Sequence, residues 1–331
     1  MTALPTSPAL DPEVAAALAA IPGPLLGDFT PEGIAAVRRG VAAASPTDEQ
    51  LSQNGYFEVE DRPVPGPPGA PDITLLICRP RGATASRPVL YHAHGGGMMF
   101  GDRRSGLDTL LRSARELEAV VVSVEYRLAP EHPHPAPVED VYAGLVWTSG
   151  NATGFGGDPH RIVLAGTSAG GGLAAATALL ARDRQGPRPV AQLLLCPMLD
   201  DRDDSPSARE TTDLATWNRA ANKAGWTALL GDRRGSPDVP PYAAPSRADD
   251  LSGLPPAFLD VGSAEIFRDE VVAYASRIWQ AGGDAELHVW PGGCHVFDEF
   301  APQAAISRAA LSARSDWLRR ILAQAPSVSG R

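Results

Sequence analysis

Lysine is almost absent from this 331-residue chain: Lys223 is the only one among 29 basic residues, which are otherwise arginine. Against 39 acidic residues this leaves a formal net charge of -10. Nucleic acids and anionic membranes need clustered cationic side chains, so no nucleic-acid partner is expected. Cysteine is scarce as well. Cys78, Cys196 and Cys294 are too few and too scattered for a disulfide framework, and they lack the C-x-x-C spacing of a zinc site, so no metal is predicted. A reduced, cytoplasmic protein fits that usage. Long apolar runs are missing too. The stretch Val14 to Ile21 is too short to span a bilayer, and Asp11 and Glu13 precede it where a secretory signal would carry positive charge. Neither a membrane span nor export is expected, and the sequon Asn151-Ala152-Thr153 then has no consequence.

What the chain does have is hydrophobic content, 44% of its residues, and 33 glycines, enough for a large buried core. Residues 1–50 carry helical spacing broken by Pro22, Pro24 and Pro31, which predicts a helical arm. Strand-like runs at Tyr56–Glu60 and Asp72–Cys78 flank the turn Pro63 to Gly69 and predict an antiparallel hairpin at a sheet edge. Apolar strands then alternate with helical stretches. Strands are predicted at Val89–Ala93, Ala119–Val124, Arg161–Ala165, Ala191–Cys196, Ala257–Val261 and Glu286–Trp290, with helices near 104–117, 137–148, 168–182, 269–280 and 303–323. This is the pattern of an α/β chain with a mostly parallel sheet of eight strands and helices on both faces. The alternation stops between 198 and 254, where apolar helical patches are expected around Trp217 and Trp226. The run Asp200 to Asp204, with Arg202 in its middle, reads as a solvated turn.

Chemistry concentrates where strands end. Gly166-Thr167-Ser168-Ala169-Gly170 lies between an apolar strand and an alanine-rich helix, the setting of a nucleophile elbow that projects a serine hydroxyl from the sheet edge. A hydroxyl is a weak nucleophile near neutral pH, so Ser168 needs a base and an acid to orient that base. His295 is the best base, being in the glycine-rich loop after the last predicted strand. His160 and His288 sit at the wrong end of a strand or within one, and His132 and His134 lie in a proline-rich segment. Among Asp260, Glu265, Asp269 and Glu270, only Glu265 falls in a loop at the carboxyl end of its strand. His94-Gly95-Gly96-Gly97 ends another strand and offers backbone N–H groups to a developing oxyanion.

These motifs resemble the hormone-sensitive-lipase-like branch (bacterial esterase family IV) of the α/β-hydrolases. The resemblance rests on His94 to Gly97 with Gly101-Asp102, Tyr126-Arg127-Leu128-Ala129-Pro130-Glu131, Gly166 to Gly171, Ala264 to Glu270 and Gly293 to Phe297, and it runs from about residue 50 to the C-terminus. The chain order Ser168, Glu265, His295 is that of the α/β-hydrolases. Thr167 within the elbow resembles the threonine-bearing subgroup, and Glu265 stands where aspartate is commoner.

The resemblance implies an α/β-hydrolase fold with a catalytic domain at 51–197 and 251–331, capped by a helical arm at 1–50 and an insertion at 198–250. It implies a carboxylic ester hydrolase acting on small to medium acyl esters without a cofactor, and a homodimer by family habit. In it Ser168 attacks the carbonyl, His295 shuttles the proton, and the N–H groups of Gly96, Gly97 and Ala169 hold the oxyanion, with His94, Gly95, Gly166 and Gly170 in support. Met98, Met99, Phe100, Trp217 and Trp226 are candidate pocket walls. Lactones, carbamates and amides share the tetrahedral intermediate and stay open as substrates. A non-catalytic receptor of the same fold would lack the histidine that this chain keeps. A nucleotide-binding reading of Gly166 to Gly172 fails because no lysine stands where a P-loop needs one.

Overall fold

The computed structural model describes residues 7–21, 28–82, 86–210 and 216–325. Eight strands form one sheet: β1 (Phe57–Val64), β2 (Ile73–Pro80), β3 (Arg87–Ala93), β4 (Val120–Glu125), β5 (Gly157–Thr167), β6 (Ala191–Leu195), β7 (Ala257–Gly262) and β8 (Ala285–Trp290). Their spatial order is β1-β2-β4-β3-β5-β6-β7-β8. The expected hairpin is present, with Phe57 opposite Pro80 and Val64 opposite Ile73. β2 runs antiparallel to β4, and every pairing from β4 through β8 is parallel. Pro63 lies in β1, an edge strand, the position in a sheet where proline is accommodated because only one side of the strand is paired.

The period-2 geometry of the strands sorts their side chains into two apolar layers. Leu75, Ile77, Tyr91, Val122 and Leu164 face a layer that contains the helix Ala169–Asp183. Leu76, Cys78, Leu90, Val121 and Val163 face the other, packed by the helices Leu107–Glu116 and Ala305–Gln324. β4 is buried along almost its whole length, as a strand covered on both faces must be. The helix Ala169–Asp183 is built from glycine, alanine and leucine and is buried from Ala169 to Ala181, because those small residues let it sit directly on β3, β5 and β6.

Outside this layered body, the arm expected at 1–50 forms helices at Pro12–Ala19, Pro31–Ala44 and Asp48–Leu51, while 1–6 and 22–27, with Pro22 and Pro24, lie outside the described residues. The insertion contains the helix Arg219–Leu230, which holds Trp226. Trp217 precedes that helix in a bend rather than lying on a helix of its own, and 211–215 lie outside the described residues. The acidic run also differs from the solvated turn expected. Asp201 and Asp203 are buried, the first paired with Arg247 at 2.8 Å and the second with Arg219 at 2.9 Å. Arginines 16 and 46 residues downstream neutralise them, a partnership that local charge density does not reveal. Among the described residues no helix is long and apolar enough to cross a membrane.

Candidate active site

The carboxyl ends of β3, β5, β7 and β8 open on one edge of the sheet, and the loops there hold the candidate residues. β5 ends at Thr167 and the helix begins at Ala169, leaving Ser168 at the turn with φ 58° and ψ -121°. That left-handed region is costly for a residue with a Cβ. The turn is over-determined: Ser168 N–H donates to Leu195 O at 2.8 Å, and Ser168 O accepts from Gly172 and Met198. A Cβ at Gly166 would strike the Gly170 carbonyl, and one at Gly170 would strike the Ala93 carbonyl. Glycine at both positions is therefore a matter of space.

From this turn a hydrogen-bonded line runs across the sheet edge. Ser168 Oγ lies 2.9 Å from His295 Nε2, and His295 Nδ1 lies 2.7 Å from Glu265 Oε2. All three residues are buried. Burial pushes the Glu265 carboxyl above its ordinary value, and the adjacent His295 works against that rise. The other acids are engaged elsewhere. Asp260 accepts from Arg314 at 2.7 Å, Asp269 from Ser207 N–H at 2.7 Å and Glu270 from Leu199 N–H at 2.7 Å. The other histidines do not approach the serine in this way: His92 pairs with Ser123 and His288 with Glu286.

The glycine loop after β3 lies beside this line. Gly95 is against Thr167 and Ser168. Tyr126 Oη donates to His94 O at 2.8 Å and the two rings stack at 4.1 Å, while Ala129 N–H donates to Met98 O at 2.9 Å. The Tyr126 to Glu131 segment thus braces the loop. His94 Nδ1 is 2.8 Å from Gly95 O, which requires a proton on Nδ1; burial lowers the pKa of His94, keeping the ring neutral. Gly96 and Gly97 take φ values of +114° and +58°. Among the described residues the N–H groups of Gly96, Gly97 and Ala169 donate to no protein acceptor.

Of the five candidate pocket residues, Trp217 has its ring against both the glycine loop and His295. Its ring stands against Gly97, where a Cβ would strike it, and 6.4 Å from the His295 ring. Its indole N–H is buried without a partner among the described residues. Met98, Met99 and Phe100 are buried in the same apolar layer as Tyr91 and Leu164, and Trp226 is wholly buried on the helix Arg219–Leu230, whose Gly225 abuts Gly97 O.

Several residues at this edge escaped the reading of the sequence. Thr216 Oγ1 donates to His295 O at 2.5 Å. Arg314, on the last helix, is buried between Asp260 and Asp298, and Asp260 also accepts from Trp290 Nε1 at 3.2 Å. Cys196, just past β6, is buried next to Glu265 and His295, and burial pushes its thiol well above the ordinary range. No motif or spacing in the sequence marks any of these, since each partner arrives from a different part of the chain.

Residues 90–299 match a family described as having the alpha/beta hydrolase fold. The chain is 40% identical over 251 residues to carboxylesterase NlhH of Mycobacterium tuberculosis, spanning 74% of this chain and 77% of that one. It is 37% identical over 286 residues to esterase LipI of the same organism, spanning 85% of each. Among solved structures it is similar to a bacterial heroin esterase, with a TM-score of 0.86, 38% identity, and coverage of 95% of this chain and 98% of that one.

Proposed function

Because the chain belongs to the alpha/beta hydrolase fold family, in its hormone-sensitive-lipase-like branch, and is a carboxylesterase-type hydrolase, we propose that it cleaves small to medium acyl esters through an acyl-enzyme on Ser168. The observation that carries this reading is the continuous line Ser168 Oγ, His295 Nε2, His295 Nδ1, Glu265 Oε2, with spacings of 2.9 and 2.7 Å.

In this mechanism Glu265 Oε2 accepts a hydrogen bond from His295 Nδ1–H, which leaves the Nε2 lone pair facing the serine. As Ser168 Oγ attacks the ester carbonyl, Nε2 takes its proton, and the carbonyl oxygen becomes an oxyanion. The N–H groups of Gly96, Gly97 and Ala169 receive that charge, with the positive end of the helix Ala169–Asp183 beneath them. His295 then protonates the departing alkoxide. A water enters, loses its proton to the same nitrogen, and attacks the acyl-enzyme to release the acid and Ser168.

The arm at 1–50 and the insertion at 198–250 act as a cap over this centre. Supporting that role, Arg38 donates from Nε to Met99 O and from Nη2 to Ala129 O, each at 2.8 Å, and Trp217 stands on Gly97. The three cysteines are all free and buried, in keeping with a reducing cytoplasm.

The deciding experiment combines turnover of a chromogenic short-chain ester with mass spectrometry after a phosphonate inhibitor. The native chain turns over and gains one adduct on the Ser168 peptide. Ser168→Ala does neither and keeps its circular-dichroism spectrum. Turnover by Ser168→Ala, or an adduct elsewhere, refutes the assignment.

A further inference from the structure

Cys196 joins Glu265 and His295 in one cluster, and ester hydrolysis gives the cysteine no part. One donor atom from each lies within 4.8 Å of the others, and all three residues are buried. Glu265 spends Oε2 on His295 Nδ1, and its Oε1 is buried with no hydrogen-bond partner among the described residues. Cys196 is held in place by its N–H donation to Asp260 O at 2.8 Å, and its φ of +35° belongs to the tight turn that follows β6. A thiol, an imidazole and a carboxylate with a spare oxygen are the donors that Zn2+ selects, whereas Mg2+ and Ca2+ call for oxygen ligands alone. Tetrahedral zinc holds such donors about 3.5 Å apart, so the thiol must move in by up to about 1 Å while the Glu265–His295 pair, 2.7 Å apart, opens by a little under 1 Å to admit an ion.

We propose that Cys196, Glu265 and His295 form an inhibitory site for a thiophilic divalent cation, with Zn2+ as the fitting ion. The inhibition, though not the binding, rests on the reading of His295 as the base for Ser168. The ion bonds to Cys196 Sγ, a Glu265 oxygen and His295 Nδ1. The thiol proton leaves to solvent, and the imidazole proton moves from Nδ1 to Nε2. One proton is released per ion bound, and no electron changes hands. With Nε2 protonated, His295 can only donate toward Ser168 and cannot take the serine's proton. The cation thus stops catalysis by imposing the wrong tautomer, without occupying the oxyanion position.

The test uses the full chain and two readouts. Co2+ serves as the spectroscopic probe, because a thiolate bound to Co2+ shows a ligand-to-metal charge-transfer band in the near ultraviolet. The band is expected in the native protein and in Cys294→Ser, and its absence is expected in Cys196→Ser and Cys196→Ala. In the second readout, Zn2+ is titrated against hydrolysis of a chromogenic ester, each variant being scaled to its own metal-free rate. Inhibition reversed by a chelator is expected. The inhibitory concentration should rise about tenfold or more on loss of the Cys196 ligand and stay put in Cys294→Ser. A band that persists without Cys196, or equal inhibition of Cys196→Ser and the native protein, overturns the proposal. A chain with no esterase activity would sink the hydrolase mechanism, while the cobalt spectrum would still decide the cation site.

Discussion

Thr216 Oγ1 donates a 2.5 Å hydrogen bond to the main-chain oxygen of His295, tying the inserted segment to the residue that faces Ser168. Removing only that hydroxyl tests how far the insertion positions the histidine. Thr216→Val keeps the shape and loses the donor, and kcat is expected to fall about 3- to 10-fold, the worth of one such bond. Thr216→Ser should restore it. Steady-state kinetics on one ester checks this, and equal rates for Val and Ser would show that the bond does not position His295.

Gly97 and Trp217 are coupled by space. A side chain at Gly97 meets the Trp217 ring and must also adopt a φ of +58°. Gly97→Ala is expected to lower kcat/KM by about 10²-fold or more, the scale of losing one oxyanion donor. Adding Trp217→Ala should recover part of that loss. The rest should remain, since the backbone strain of about 1–2 kcal/mol is unaffected. Strictly additive effects in this double-mutant cycle would contradict the coupling.

Arg314 neutralises two buried carboxylates, Asp260 in β7 and Asp298 three residues after His295. Arg314→Leu strands both, and a loss of about 3–5 kcal/mol in folding stability is expected. Urea unfolding measures it. Adding Asp260→Asn and Asp298→Asn should return much of the stability, because the penalty lies in the unpaired charges. A triple variant no more stable than Arg314→Leu would instead assign the loss to packing of the arginine stem.

His92 supplies a pH dependence with a definite sign. It is buried in β3 with Nδ1 2.9 Å from Ser123 Oγ, and burial pushes its pKa down from 6.5 to about 3. The unfolded chain therefore binds a proton that the folded chain refuses. Stability is complete above pH 6.5 and declines as pH falls toward about 3, by up to about 1.4 kcal/mol per pH unit for this one group. His92→Asn should flatten the decline in chemical denaturation between those limits. An unchanged slope would show that His92 does not carry it.

How much was legible before the structure depended on the range of the interaction. The eight strands are written in local alternation and short apolar runs, and each predicted run lies within or next to an observed strand. β5 is longer than its apolar run because Gly157 also pairs with Arg87 across a register shift, which no local pattern encodes. Placing Glu265 in a loop and Asp260 within a strand was enough to separate them as candidates. The spacing around Trp217 predicts a helix, yet the residue sits in a bend, because apolar spacing alone does not supply a helix's hydrogen bonds. Asp201 and Asp203 looked solvated because their arginine partners lie far along the chain.

By itself, then, the sequence determined the order of strands and helices, the strained serine turn and the glycine loop, since turn chemistry and hydrophobic period act over a few residues. Tertiary structure alone decided which groups meet. The crossover connections bring the ends of β3, β5, β6, β7 and β8 to one edge, and so set Cys196 beside Glu265 and His295 and Arg314 between Asp260 and Asp298. Such meetings depend on how crossovers fold back on the sheet, and side chains tens of residues apart leave no trace of one another in local pattern.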